Sequence, residues 1–272
     1  MNFLSSILFA ALVAGPVFQE SSDTKEALKK GLETSAAAGG YTFTGTVEQE
    51  SPLGGAALAM GASMLASGPD GKCKGTRGAD GVSHLRIEKD KNSYEFFRKG
   101  SKVAHRQVWK GTAIAAGDFA SEANAALDLE RLAKFASKAK DLKSETKKVD
   151  DVECLVVSAS LPADLVEEEA SEGGPGFNFK MFELKKVDVK FTFGKDDHLL
   201  RKAEFKFVKG FTSMIQASMP GGEEEGGEEG GEDGGANMAK ASFTSAFKIT
   251  LGAFSKTEAV TVPEDVKGLL GD

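Results

Sequence analysis

The chain has 272 residues, 40% of them hydrophobic and 28% charged, with 34 basic against 41 acidic side chains, two cysteines and 32 glycines. That is enough chain for one domain with a sizeable core. It excludes a disulfide-built scaffold, a nucleic-acid binder with Lys and Arg concentrated on one face and, past the N-terminus, any membrane-spanning run of 18 apolar residues.

Residues Met1 to Val17 carry no charged side chain, and Phe3 to Val13 form a short apolar core that ends at Ala14, Gly15 and Pro16. The pattern predicts a secretory signal peptide over residues 1–17 and a single domain over 20–272. No Cys stands near the end of the apolar stretch, so acylation as a lipoprotein is not expected. The expected location is periplasmic or extracellular. An oxidising compartment lets Cys73 and Cys154 form a disulfide; otherwise they are two buried thiols. Neither belongs to a CxxC or a Cys/His cluster, so no metal is expected.

Thr24 to Ala38 places Ala27, Leu28 and Leu32 at helical spacing and stops at Gly39 and Gly40. The period then falls to two: Tyr41, Phe43, Gly45 and Val47 alternate with Thr42, Thr44, Thr46 and Glu48. The same alternation over Val82–Glu88, Ser93–Arg98 and Lys102–Trp109, with short polar turns between, predicts an antiparallel meander. Ser121–Leu142 returns to a helical period, with Leu129, Leu132, Phe135 and Ala136 on one side and Glu130, Arg131, Lys134 and Lys138 on the other. Its end carries Lys138, Lys140, Lys143, Lys147 and Lys148, a basic cluster suited to a helix C-terminus and a weak candidate for anionic head groups. An apolar strand over Val152–Ala159 and one or two helical turns over Pro162–Ala170 follow.

The second half is patterned most strongly. Val187, Val189, Phe191 and Phe193 share one face of a strand opposite Lys186, Asp188, Lys190 and Thr192; Gly194–Asp197 turns the chain, and Ala203, Phe205 and Phe207 answer. Phe243, Ser245, Phe247, Ile249 and Leu251 line a further strand, and a last strand is expected over Ala259–Val262 before Pro263. The fold class predicted is α+β: a curved antiparallel sheet, a half-closed β-barrel, with helices covering one side.

Two insertions interrupt the pattern. Residues 52–69 embed Leu53, Leu58, Met60, Met64 and Leu65 in Gly, Ala and Ser, either a flexible apolar lid at a cavity mouth or a short packed helix. Residues 220–236 contain seven carboxylates between Glu223 and Asp233, spaced by paired glycines; without them 34 acidic side chains would face 34 basic ones, so the net charge of −7 resides there. Such a run is expected to be disordered, and it lacks the ligand spacing of a calcium loop.

No GxSxG, HExxH, P-loop or GxGxxG occurs, and His84, His105 and His198 are isolated. The expectation is a protein without catalytic residues, cofactor or nucleic-acid partner. An enzyme would need His105 or His198 to converge with a carboxylate in a cleft.

The order helix, antiparallel strands, amphipathic helix, long hairpins resembles the periplasmic LolA/LolB and LppX/LprG-type lipid-carrier superfamily. The passages that carry the resemblance are Tyr41–Gln49, Asn92–Trp109 (NSYEFFRKGSKVAHRQVW), Val187–Val208 and the ending Thr257–Leu270 (TEAVTVPEDVKGLL). The resemblance implies a half-closed β-barrel that holds an acyl chain or other apolar ligand, with no catalytic residues. This chain departs from those families in lacking a lipobox and in bearing the two insertions.

The composition leads toward the same reading. A face rich in Phe191, Phe193, Phe205, Phe207, Phe243 and Phe247 must be covered, and two helices leave a wide concavity, so these rings with Met60 and Met64 are the cavity candidates. The expected function is an exported, non-enzymatic protein that carries or senses a hydrophobic, lipid-like ligand, with transient membrane or protein contacts. The rival is an exported structural or interaction domain whose core is filled and whose acidic loop meets a partner.

Overall fold

Residues 21–50, 70–89, 92–100, 102–107, 112–115, 125–167, 182–211, 242–255 and 257–271 are described in the computed structural model. The expected signal peptide and both insertions, with Met60 and Met64, lie outside them, as do Val108 and Trp109.

Helix α1 (Ser21–Ala37) buries Leu28 and Leu32 completely. It ends where Gly39 takes a φ of 82° and its N–H reaches the Ala36 carbonyl at 3.3 Å, a conformation glycine adopts without a side-chain penalty. Eleven strands follow: β1 (Tyr41–Glu50), β2 (Gly71–Arg77), β3 (Ser83–Lys89), β4 (Asn92–Lys99), β5 (Lys102–Gln107), β6 (Thr112–Ala115), β7 (Lys140–Val149), β8 (Val152–Leu161), β9 (Phe182–Gly194), β10 (Leu200–Phe211) and β11 (Ser242–Gly252). Helix α2 (Leu129–Ala136) lies between β6 and β7, the short α3 (Asp164–Glu167) follows β8, and α4 (Glu264–Leu270) ends the chain.

All strand pairs are antiparallel, in the order β6-β5-β4-β3-β2-β1-β11-β10-β9-β8-β7. The first and last long strands therefore meet at the centre, with Val47 opposite Phe247 and Phe43 opposite Leu251. Among the described residues β6 and β7 remain edges, so the curved sheet is open. One face collects Tyr41, Phe43, Val47, Cys73, Leu85, Ile87, Phe96, Val157, Val187, Phe191, Phe205 and Phe247 into a continuous core with α1 and α2. This is the α+β half-barrel that the alternation predicts, with helices over one side.

Three expectations change. The helix ends at Ala136, and Lys140–Val149 is edge strand β7, in which Leu142 and Ser144 point inward between exposed lysines. The basic cluster is thus mostly spread along a sheet edge, where charge blocks pairing with another chain, and is not gathered at a helix end. Residues Ala259–Val262 form no strand; Val260 and Val262 lie on the outer face, where Phe97, Ala104, Val266 and Leu270 make a second apolar cluster beneath α4. Of the two alternatives for the cysteines, the structure has the second: Cys73 and Cys154 are both free and buried. Cys73 lies on the inner face, whereas Cys154 alternates with inner-facing Leu155 and Val157 and so faces outward, which keeps the two thiols apart.

Candidate functional site: the aromatic face of the half-barrel

The inner face of β9, β10 and β11 carries an unbroken row of rings. Phe191 meets Phe193 at 6.0 Å between centroids and Phe205 edge-on at 5.5 Å; Phe205 stacks on Phe207 at 6.0 Å; Phe207 meets Phe247 edge-on at 5.7 Å. Period-two alternation puts these side chains on one side, and the registers bring them together: Phe205 pairs with Val189 and Phe247, Phe191 with Ala203 and Val157. None of the five is more than 2% exposed. Each contributes about 1.5–3 kcal/mol by burial, and edge-on or offset pairs add about 0.5–1.5 kcal/mol. Of the remaining candidates, Phe243 occupies the register position opposite Lys209, its side chain lying outside the described residues, as do Met60 and Met64.

The helices cover this row through small residues and hydroxyls. Gly31 of α1 sits against the Phe193 ring. Ser35 Oγ donates to the Gly31 carbonyl at 2.7 Å and accepts the Leu200 N–H at 2.8 Å, which ties α1 to β10. The hydroxyls of Thr24 and Ser144 share a 2.9 Å hydrogen bond, which ties it to β7.

The two ends of the half-barrel differ. At the lower end, where β1 begins, Tyr41 donates its buried phenol to the Leu127 carbonyl, and burial pushes its pKa well above the ordinary tyrosine range. Asp128 caps α2 by accepting the Arg131 N–H at 3.0 Å and also pairs with Arg98, while Arg77 reaches Glu130 at 2.8 Å. This end is closed by charged pairs. At the upper end, where β1 finishes at Glu50 and β10 at Phe211, the inner face changes from rings to Gln49, Ser245 and Lys209. Ser245 Oγ donates to Gln49 Oε1 at 2.8 Å, and Gln49 Nε2 is buried with no hydrogen-bond partner among the described residues.

The sequence reading misses Lys209, Gln49, Arg98 and Asp128. The first had a signal: Lys209 is the next same-face position after Phe205 and Phe207. The histidines stay apart. His84 stacks on Phe97 at 4.5 Å on the outer face, with Glu95 at 3.5 Å; burial lowers its pKa, and Glu95 opposes that shift. His198 lies in the turn between β9 and β10 with a φ of 57°, and His105 lies on β5. Among the described residues no three His, Cys, Asp or Glu side chains gather as a metal site, and no helix is long and apolar enough to cross a membrane.

No protein-family model matches the chain, and no curated protein matches it. Among solved structures, the chain is similar to the lipoprotein LppX of Mycobacterium tuberculosis, at 11% identity and a TM-score of 0.42, over 87% of this chain and 99% of that one. It is also similar to LprF of Mycobacterium bovis, at 12% identity and a TM-score of 0.41, over 90% and 98% of the two chains. A LolA superfamily protein of Nitrosomonas europaea is similar at 10% identity and a TM-score of 0.28, over 89% and 96%.

Proposed function

We propose that this is an exported, non-enzymatic binding protein that carries or senses a hydrophobic, lipid-like ligand on the aromatic face of its half-barrel. The observation that carries the reading is the unbroken row from Phe193 to Phe247 on the covered face of an open sheet. Burial of an acyl chain there supplies about 0.8 kcal/mol per methylene and needs no directional contact, so a smooth aromatic wall suffices. Because the rings are sealed by one another and by α1, a ligand enters by separating helix from sheet. Polar ties that hold α1 across the face among the described residues include the hydroxyl bonds at Ser35 and Thr24, at about 1 kcal/mol each. Export rests on the uncharged N-terminal segment, and the absence of a motif for catalysis supports a carrier in preference to an enzyme.

The same sealing favours a second reading, an interaction domain whose rings are simply core and whose acidic segment 223–233 meets a partner. Native mass spectrometry of protein purified without detergent, followed by lipid extraction and titration with a fluorescent fatty acid, separates the two. Co-purified lipid or saturable uptake of the probe is expected. A protein that carries nothing and takes up no probe leaves the second reading, and deletion of Gly221–Gly235 then abolishes partner capture with the fold intact.

A further inference from the structure

We infer that the ligand is an amphiphile with an anionic head group, whose charge is received by Lys209 at the upper end of the aromatic row; this rests on the carrier reading above. Lys209 follows Ala203, Phe205 and Phe207 on the inner face of β10, and its cross-strand partners are Leu184, part of the core, and Phe243. It is only 7% exposed. A register shift between Val208 and Lys209 lies in the pairing with β9, whereas the pairing with β11 runs regularly from Lys202 to Gly210. Lys209 therefore keeps the same face as the rings.

An ammonium buried in line with Phe205 and Phe207 needs an anionic or acceptor group beside it, and such a group marks where a charged head can dock at the end of the row. The described inner-face residues of β1, β9, β10 and β11 are otherwise apolar or neutral: Tyr41, Phe43, Val47 and Gln49; Leu184, Val187, Val189, Phe191 and Phe193; Ala203, Phe205 and Phe207; Ser245, Phe247, Ile249 and Leu251. The polar exceptions near Lys209 are Ser245 and Gln49, whose buried Nε2 presents an N–H donor without an acceptor among the described residues. A cation and an amide donor at one end of an apolar row complement an acceptor-only oxygen group, a carboxylate or a phosphate. Lys209 is engaged in the protein as it stands, and the head group joins or replaces that interaction. The tail then runs down the row toward Phe191, away from the charged pairs that close the lower end.

The test compares matched probes: cis-parinaric acid against its methyl ester, and a lysophosphatidic acid against the monoacylglycerol of the same chain, on the full-length mature protein and on Lys209→Met and Lys209→Arg. The unsubstituted protein is expected to prefer the acid to its ester, or the phosphate to its glyceride, by tenfold or more. Lys209→Met should lose that preference while still binding the neutral probe, and Lys209→Arg should keep it. The stronger of the two anionic probes identifies carboxylate or phosphate as the natural head. Equal affinity for charged and neutral probes overturns the inference and leaves the carrier reading standing; no binding of either kind overturns both. The comparison within the unsubstituted protein holds even where Lys209→Met fails to fold, and a preference unchanged in a folded Lys209→Met also overturns the inference.

Discussion

Gly31 of α1 and Phe193 of β9 are in such close approach that a Cβ added at residue 31 would lie 2.5 Å from the ring's Cδ1. A glycine inside a helix ordinarily costs about 1 kcal/mol relative to alanine, so this one is held for the space it leaves. Gly31→Ala should gain that propensity and lose more, because Phe193 is packed against Phe191 and can move only by pushing the helix outward. Overpacking of this kind costs about 1–3 kcal/mol. The expected outcome is a net loss of stability in urea denaturation; a variant as stable as the unsubstituted protein would show that α1 rides freely over the sheet.

The centre of the row makes a sharper demand. Phe205 touches a ring on either side, so Phe205→Ala leaves a cavity that neither neighbour fills and is expected to cost about 3–5 kcal/mol. Phe205→Leu keeps most of the volume and should cost less than about 1.5 kcal/mol. Equal costs for the two would mean that the site collapses around the loss and the row is loosely packed.

At the lower end Asp128 holds two roles, cap of α2 and partner of Arg98. Asp128→Asn keeps the acceptor for the Arg131 N–H and removes the charge; Asp128→Ala removes both and leaves a largely buried guanidinium uncompensated. The alanine variant should lose about 3 kcal/mol or more and the asparagine variant clearly less, read from thermal melts of the two. Equal losses in the two variants would place the energy in the ion pair instead of the cap.

Burial pushes the Cys73 thiol up to about 11, while the unfolded chain ionises near the ordinary thiol value of 9.0. Between those values the unfolded state has released its proton and the folded state has not, so stability falls as pH rises from about 9 to about 11. The loss amounts to about 2–3 kcal/mol at the upper end of that window. Cys73→Ala should remove the decline between pH 9 and 10 and lessen it above, leaving the decline from Tyr41, which begins near pH 10. Since neither thiol is bridged, reductant should leave the melting temperature unchanged, and both thiols should react only after unfolding.

The fold was readable where one side chain in two was large and apolar. Phe191, Phe193, Phe205 and Phe207 alternate with Lys and Thr, and the hairpin follows from that alone. β2 was hidden because the inward positions of Gly71–Arg77 are two glycines, Cys73 and Arg77, and Gly75 is small to admit the ring of Phe43. The upper end of the site was hidden for a related reason: Lys209 continues the strand's period but breaks its hydrophobicity, so the strand read from sequence stops at Val208. The partners of Asp128 lie on β4 and at the start of α2, a pairing that only the sheet order brings about.

β7 concealed itself most completely, and the reason yields a prediction. Leu142 falls three residues after Ala139, which extends the helical pattern of α2 by coincidence, and the lysines around it look like a helix end. In the sheet those lysines line an unpaired edge, with Lys143, Lys147 and Lys148 exposed and a register shift between Lys140 and Lys143 that disrupts the ladder. Charge and irregularity are the two devices that keep an edge strand from recruiting another. Replacing Lys143 and Lys147 by Val or Ile should leave the monomer's stability within about 0.5 kcal/mol, since both are surface positions, but convert the protein to concentration-dependent oligomers visible by light scattering. A double variant that stays monomeric would mean that the edge is shielded by some other part of the chain, and that the lysines of β7 answer to a partner and not to the risk of self-association.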